Sequence, residues 1–183
     1  LSPAEFGAYT LSFAFGSVVV GFCQLSLLGV YERDYFSYTN NKEKAQLLFT
    51  IVSFVFFIMM TVGAFIFVNK DYIASWIAQN NEYGLLLFIT FIGLMFQSSG
   101  NYYLSFLKNT GNAKLNVSII LLTSILGFIL NIYFVSILKI GPIGLSLGLL
   151  ISNGIIFCLV TIYLLKILDF GLNRRLLISS LKL

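Results

Sequence analysis

Residues 45–69 read AQLLFTIVSFVFFIMMTVGAFIFVN, 25 positions without one charged side chain. A bilayer's hydrocarbon core is about 30 Å thick and needs about 20 apolar residues at 1.5 Å rise each, so this stretch is long enough to span it. Its Leu, Ile, Val and Phe residues number fifteen. At roughly −0.3 to −0.6 kcal/mol each they favour insertion by about 4 to 9 kcal/mol. Four more charge-free runs of 24 to 26 residues cover 6–31, 83–107, 115–138 and 140–165. The expected fold is therefore all-α, a polytopic integral membrane protein with five transmembrane helices over residues 1–168.

Composition points the same way, with 58% hydrophobic and 10% charged residues, against about 25% charged in an ordinary soluble domain. The net charge of +4 is spread between the runs rather than over one face, which excludes a nucleic-acid partner and suits the fixing of orientation in a membrane. Counting by connection, one side holds Arg33, Lys42, Lys44, Lys108, Lys114, Lys166, Arg174, Arg175 and Lys182, and the other only Lys70 and Lys139. The positive-inside rule then places the start of the chain outside and its end in the cytoplasm. Five crossings that begin outside lead to the expectation of a further helix upstream, so that the sequence is a fragment.

Between the second and third runs, Tyr72, Ile73, Trp76 and Ile77 repeat at helical spacing, which predicts a short amphipathic turn on the outer membrane surface. Turns are expected at 109–112 (Asn-Thr-Gly-Asn) and at Gly141-Pro142. In residues 169–183, Leu172, Leu176, Ile178 and Leu181 are interleaved with Arg174, Arg175 and Lys182, a cytoplasmic amphipathic link. Gly144, Gly148 and Ser152 form a small-residue ridge for close helix packing. Cys23 and Cys158 read as two small buried hydrophobes inside spans.

The chain has no His, and none of the runs contains Asp or Glu. Acid, base and metal-ligand chemistry thus lacks its usual residues, and neither an enzyme nor a cofactor is expected. What remains is polar and uncharged. Thr90, Gln97, Asn101 and Ser105, with Lys108 at the end, share one side of the third run at 100° per residue. Thr10, Ser17, Gly21 and Gln24, with Arg33 beyond, make a similar face on the first, and Asn116, Thr123 and Asn131 a looser one on the fourth. Each polar residue can bond a neighbouring helix or line a wet cavity. Likewise Arg33 and Lys108 read either as topology anchors at helix ends or as a cationic mouth for a phosphate headgroup.

The opening Leu1-Ser2-Pro3-Ala4-Glu5-Phe6-Gly7, the Arg33-Asp34-Tyr35 after the first run and the Gly141-Pro142-Ile143-Gly144 turn resemble motifs of the polysaccharide-biosynthesis flippases in the multidrug/oligosaccharidyl-lipid/polysaccharide exporter superfamily. Asp34 separates an arginine and a tyrosine that are usually adjacent there. The resemblance implies helices two to six of a six-helix bundle, with residues 169–183 leading to a second bundle. It further implies a multi-pass protein of the bacterial inner membrane that moves polyprenyl-pyrophosphate-linked oligosaccharide to the outer leaflet by alternating access. Its partners would be the lipid bilayer and a glycan polymerase or glycosyltransferases. On this reading the substrate-binding set is Gln24, Arg33, Gln97, Asn101, Ser105, Lys108 and Asn131, with Gln97 and Asn101 touching sugar and Arg33 or Lys108 the phosphate. A cation-coupled drug antiporter of the same superfamily, or a non-transporting scaffold of a glycan-synthesis complex, are the alternatives.

The charge count predicts that alkaline phosphatase fused after Asn80 is exported and active, whereas the same fusion after Gly111 stays inside and is inactive. Equal activity at the two sites would overturn the orientation.

Overall fold

Turn-forming residues mark several of the helix ends, where they supply the caps that an apolar run lacks. The structure, a computed structural model, describes residues 1–167. Its helices are α1 (Pro3–Gln24), α2 (Leu27–Tyr35), α3 (Asn41–Ala78), α4 (Gly84–Asn109), α5 (Ala113–Ile132) and α6 (Pro142–Ile167), and no strand occurs among the described residues. Five of the helices, all but α2, are long and apolar enough to cross a membrane. The link expected over 169–183 lies outside the described residues.

Local chemistry explains the punctuation. Ser2 and Glu5 form a capping box, Ser2 N–H donating to Glu5 Oε2 at 2.7 Å and Glu5 N–H to Ser2 Oγ at 3.3 Å, with Pro3 at the first helical position. Asn40 accepts from Lys42 N–H at 2.9 Å to start α3. At the α4–α5 turn Gly111 takes φ +80°, while Asn112 N–H reaches Leu107 O at 2.9 Å and Gly111 N–H reaches Lys108 O at 3.1 Å, a Schellman closure. Gly141, with φ +73°, turns the chain into α6. Both expected turns are present.

Two expected segments differ. The run over 6–31 is not one helix, because Leu25 (φ 47°) and Ser26 (φ 57°) are left-handed and separate α1 from α2. Two such residues cost about 1–2 kcal/mol each. The break lets α2 turn inward and bury Leu27, Val30, Tyr31 and Tyr35 in the core, which offsets that cost. The amphipathic segment around Trp76 does not leave the helix as a separate turn. With no Gly or Pro between Lys70 and Ala78 to stop it, α3 continues for 38 residues, about 57 Å. Ala74 is fully buried while Tyr72 and Trp76 stay exposed.

Helix α4 is central, packing against α1, α3, α5 and α6. Small residues make this closeness possible, because with no bulky side chain between them the helix backbones come within dispersion range. A Cβ at Gly93 would stand 3.1 Å from the backbone nitrogen of Leu150 and 3.0 Å from Leu149 Cγ on α6. On α6 the ridge Gly144, Gly148 and Ser152 meets Phe134, Asn131 and Gly127, so it does serve close packing, against α5 and the π-helical turn Tyr133–Ile137 that follows it. Helix α5 contributes no buried residue and stands at the periphery. Cys23 is buried as expected, whereas Cys158 on α6 is exposed rather than buried; both are free.

Gly93→Leu should force α4 and α6 apart and lower stability by about 1–3 kcal/mol, whereas Gly100, which has open space beside it, should accept Ala and gain up to about 1 kcal/mol. Thermal unfolding in detergent checks the pair; equal effects would contradict the packing described.

Candidate functional site

A straight polar stripe on a helix meets different neighbours along its length wherever those neighbours cross at an angle, and α4 shows the result. Near its start Thr90 is fully buried, its Oγ1 bonded to Leu86 O at 2.7 Å and to Ser146 Oγ of α6 at 2.6 Å. That is interhelical bonding with no room for a ligand. Midway, Gln97 and Asn101 open onto a cavity of about 310 Å³ between α4, α5 and α6. Near its end Ser105 Oγ donates to Glu32 Oε1 of α2 at 2.7 Å, and Lys108 Nζ lies 3.8 Å from the same oxygen.

The cavity gathers five uncharged polar side chains, Gln97 and Asn101 from α4, Thr123 and Ser124 from α5 and Asn153 from α6. Thr123 and Ser124 donate their hydroxyl protons to Ile119 O (2.8 Å) and Ile120 O (2.9 Å), and Asn153 Nδ2 donates to Leu149 O (2.8 Å). Their oxygens therefore keep acceptor capacity. Gln97 and Asn101 form no hydrogen bond to another described residue and keep both donors and acceptors. Phe96, Tyr103 and Phe157 supply aromatic walls, the Tyr103 and Phe157 rings stacked at 5.3 Å. Phe56, from the aromatic run of α3, stacks on Phe157 from behind at 5.8 Å.

The expected site residues thus divide. Gln97 and Asn101 come together, joined by Thr123 of the looser stripe. Gln24 is elsewhere, its Nε2 bonded to Ser98 Oγ, so it ties α1 to α4. Arg33 pairs with its neighbour Asp34 at 2.9 Å, away from the cavity. Asn131 presses against Gly148, where its amide oxygen occupies the space of a missing Cβ. Ser105 and Lys108 belong to the Glu32 cluster. These five residues do not line the cavity. Sequence reasoning missed Ser124, which is next to Thr123; Asn153, one position beyond the small-residue ridge and 100° round the helix from it; and Glu32, which lies just past the first charge-free run.

Such a set can bind by hydrogen bonds and ring faces. Among the described residues, no three His, Cys, Asp or Glu side chains gather where a metal ion would sit. The whole is a bundle of long apolar helices with, to one side of α4, a small cavity whose largely apolar lining holds five uncharged polar side chains. No family model, no curated protein and no solved structure matches the chain.

The Gln24–Ser98 bond should couple the two residues by about 0.6 kcal/mol, with a ceiling near 1.7 kcal/mol. A double-mutant cycle of Gln24→Ala and Ser98→Ala in detergent unfolding measures it, and zero coupling would return Gln24 to the list of candidate ligand contacts.

Proposed function

We propose that the chain serves as helices two to six of a bacterial inner-membrane flippase, moving polyprenyl-pyrophosphate-linked oligosaccharide from the cytoplasmic to the outer leaflet. The observation that carries this reading is the convergence of Gln97, Asn101, Thr123, Ser124 and Asn153 on one cavity among apolar helices. A sugar headgroup in a hydrocarbon layer must keep its hydroxyls hydrogen-bonded, and each unsatisfied one costs several kcal/mol. Uncharged amides and hydroxyls meet that need for both donors and acceptors, and aromatic ring faces accept the apolar face of a sugar ring.

A cavity of about 310 Å³ is smaller than an oligosaccharide. In this reading it is one wall of a larger groove completed by a second bundle, and rocking of the two bundles exposes it to each leaflet in turn. The positive-inside bias sets the orientation, with the ends of α4 and α6 toward the cytoplasm. Sealed pairs such as Gln24–Ser98 and Thr90–Ser146 are what a scaffold would use throughout. Gln97 and Asn101, left open, favour transport.

Two measurements test it. Gln97→Cys and Asn101→Cys should react with a water-soluble thiol reagent in the folded full-length protein, and protection at both would sink the proposal. In a flippase-null bacterium the complete gene should restore surface polysaccharide. Asn101→Leu, losing one to two hydrogen bonds at about 1 kcal/mol each, should cut export roughly tenfold. Absent restoration with good expression rejects the function.

A further inference from the structure

A second cleft, of about 380 Å³, opens at the basic end of the bundle, where α3 begins, α4 turns into α5 and α6 passes. Tyr35, Asn41, Lys44, Asn109 and Tyr163 reach it. Lys44 is only partly exposed, and its ammonium rests 4.6 Å from the centre of the Tyr35 ring. Among the described residues Arg33 and Lys108 are drawn to Asp34 and Glu32, whereas no carboxylate lies within 4 Å of Lys44. Asn109 Nδ2 is a buried donor with no hydrogen-bond partner. Thr110 and Asn112 are committed to the turn itself, Thr110 Oγ1 donating to Phe106 O at 3.0 Å and accepting from Asn112 Nδ2 at 3.3 Å.

Among the described residues the groups left for a ligand are therefore a cation, a buried amide donor and the amide of Asn41, in a cleft that no described acidic side chain lines. A neutral polyol would leave the ammonium without a countercharge. A multi-oxygen anion satisfies all of them, and charge-assisted hydrogen bonds are the strong ones. We propose that this cleft binds phosphate oxygens, with Lys44 as countercharge and the Asn109 amide as donor. For its natural ligand the proposal rests on the export reading, since a pyrophosphate-linked lipid carries this chemistry, and it moves the phosphate contact from Arg33 and Lys108 to Lys44. An anionic lipid headgroup presents the same oxygens.

Calorimetric titration with inorganic pyrophosphate, on the purified chain in phosphatidylcholine nanodiscs, tests the site. Lys44→Gln and Asn109→Asp should each weaken binding roughly tenfold or more, the loss expected for one hydrogen bond to a charged group. Lys114→Gln, an exposed basic residue outside the cleft, should leave it within about twofold. Lys44→Arg, which keeps charge and fold, should retain most of it. A second arm adds phosphatidylglycerol to the discs. Loss of pyrophosphate binding there, reversed in no other lipid, supports the site with a headgroup as its occupant; unchanged binding supports a soluble or substrate-borne phosphate. Equal weakening by Lys44→Gln and Lys114→Gln, or no binding in neutral discs together with Lys44-independent phosphatidylglycerol retention, overturns it. Export failing while pyrophosphate binds normally counts against the export reading alone.

Discussion

A polar side chain among apolar helices is stabilised by a hydrogen bond or by facing something polar, and α4 meets that demand in different ways along its length, while Ser99, Tyr102 and Asn109 keep buried polar atoms without a partner among the described residues. Thr90 and Ser98 are closed off by Ser146 of α6 and Gln24 of α1. Gln97 and Asn101 are left open. Ser105 and Lys108 converge on a carboxylate from α2. The same helix thus bonds α6, α1 and α2 to itself and borders a cavity shared with α5 and α6. Neither role would survive a shift in its register, because one residue of rotation carries every side chain 100° away from its partner.

That register is held by shape more than by polarity. Gly93 brings α6 to backbone distance, and Gly16 of α1 and Gly63 of α3 admit Leu94 and Phe91 of α4 into the space of their absent side chains. Fully buried Phe91, Leu86 and Met59 fill the remaining volume. Helix α5 has no equivalent hold on α4 and leans on α6 through Gly127, Gly144 and Gly148. The gap left between α4 and α5 is the cavity. Close packing on three sides and its absence on the fourth therefore have one origin, the placement of glycines.

Much of this was legible in the sequence where a single physical rule governs. Charge-free runs longer than 20 residues gave five long helices, and glycine at 111 and 141 marked turns because a positive φ is cheap there. The division of α1 from α2 left no such mark, since Leu25 and Ser26 are ordinary residues held left-handed by the burial of α2. An amphipathic repeat around Trp76 is compatible with a surface turn or with an extension of α3, and only packing of Ala74 and the start of α4 against it selects the second. For the candidate site, helical periodicity put Gln97 and Asn101 on a common face. It could not say which part of the stripe would meet α6, α2 or open space, because that depends on crossing angles that periodicity does not contain.

The unbroken length of α3 carries a mechanical meaning. Asn69, Lys70 and Asp71 end its charge-free stretch, yet the rod continues past them without a kink-forming residue and carries Tyr72 and Trp76 exposed beyond that point. The helix is about 57 Å long, with Lys44 near one end, and at the other Ala74 is buried and the start of α4 lies against Lys70 and Asp71. One continuous helix therefore ties the cleft at the basic end to the α3–α4 corner at the far end, so that a tilt of α3 at either place has to be accommodated by the packing at both.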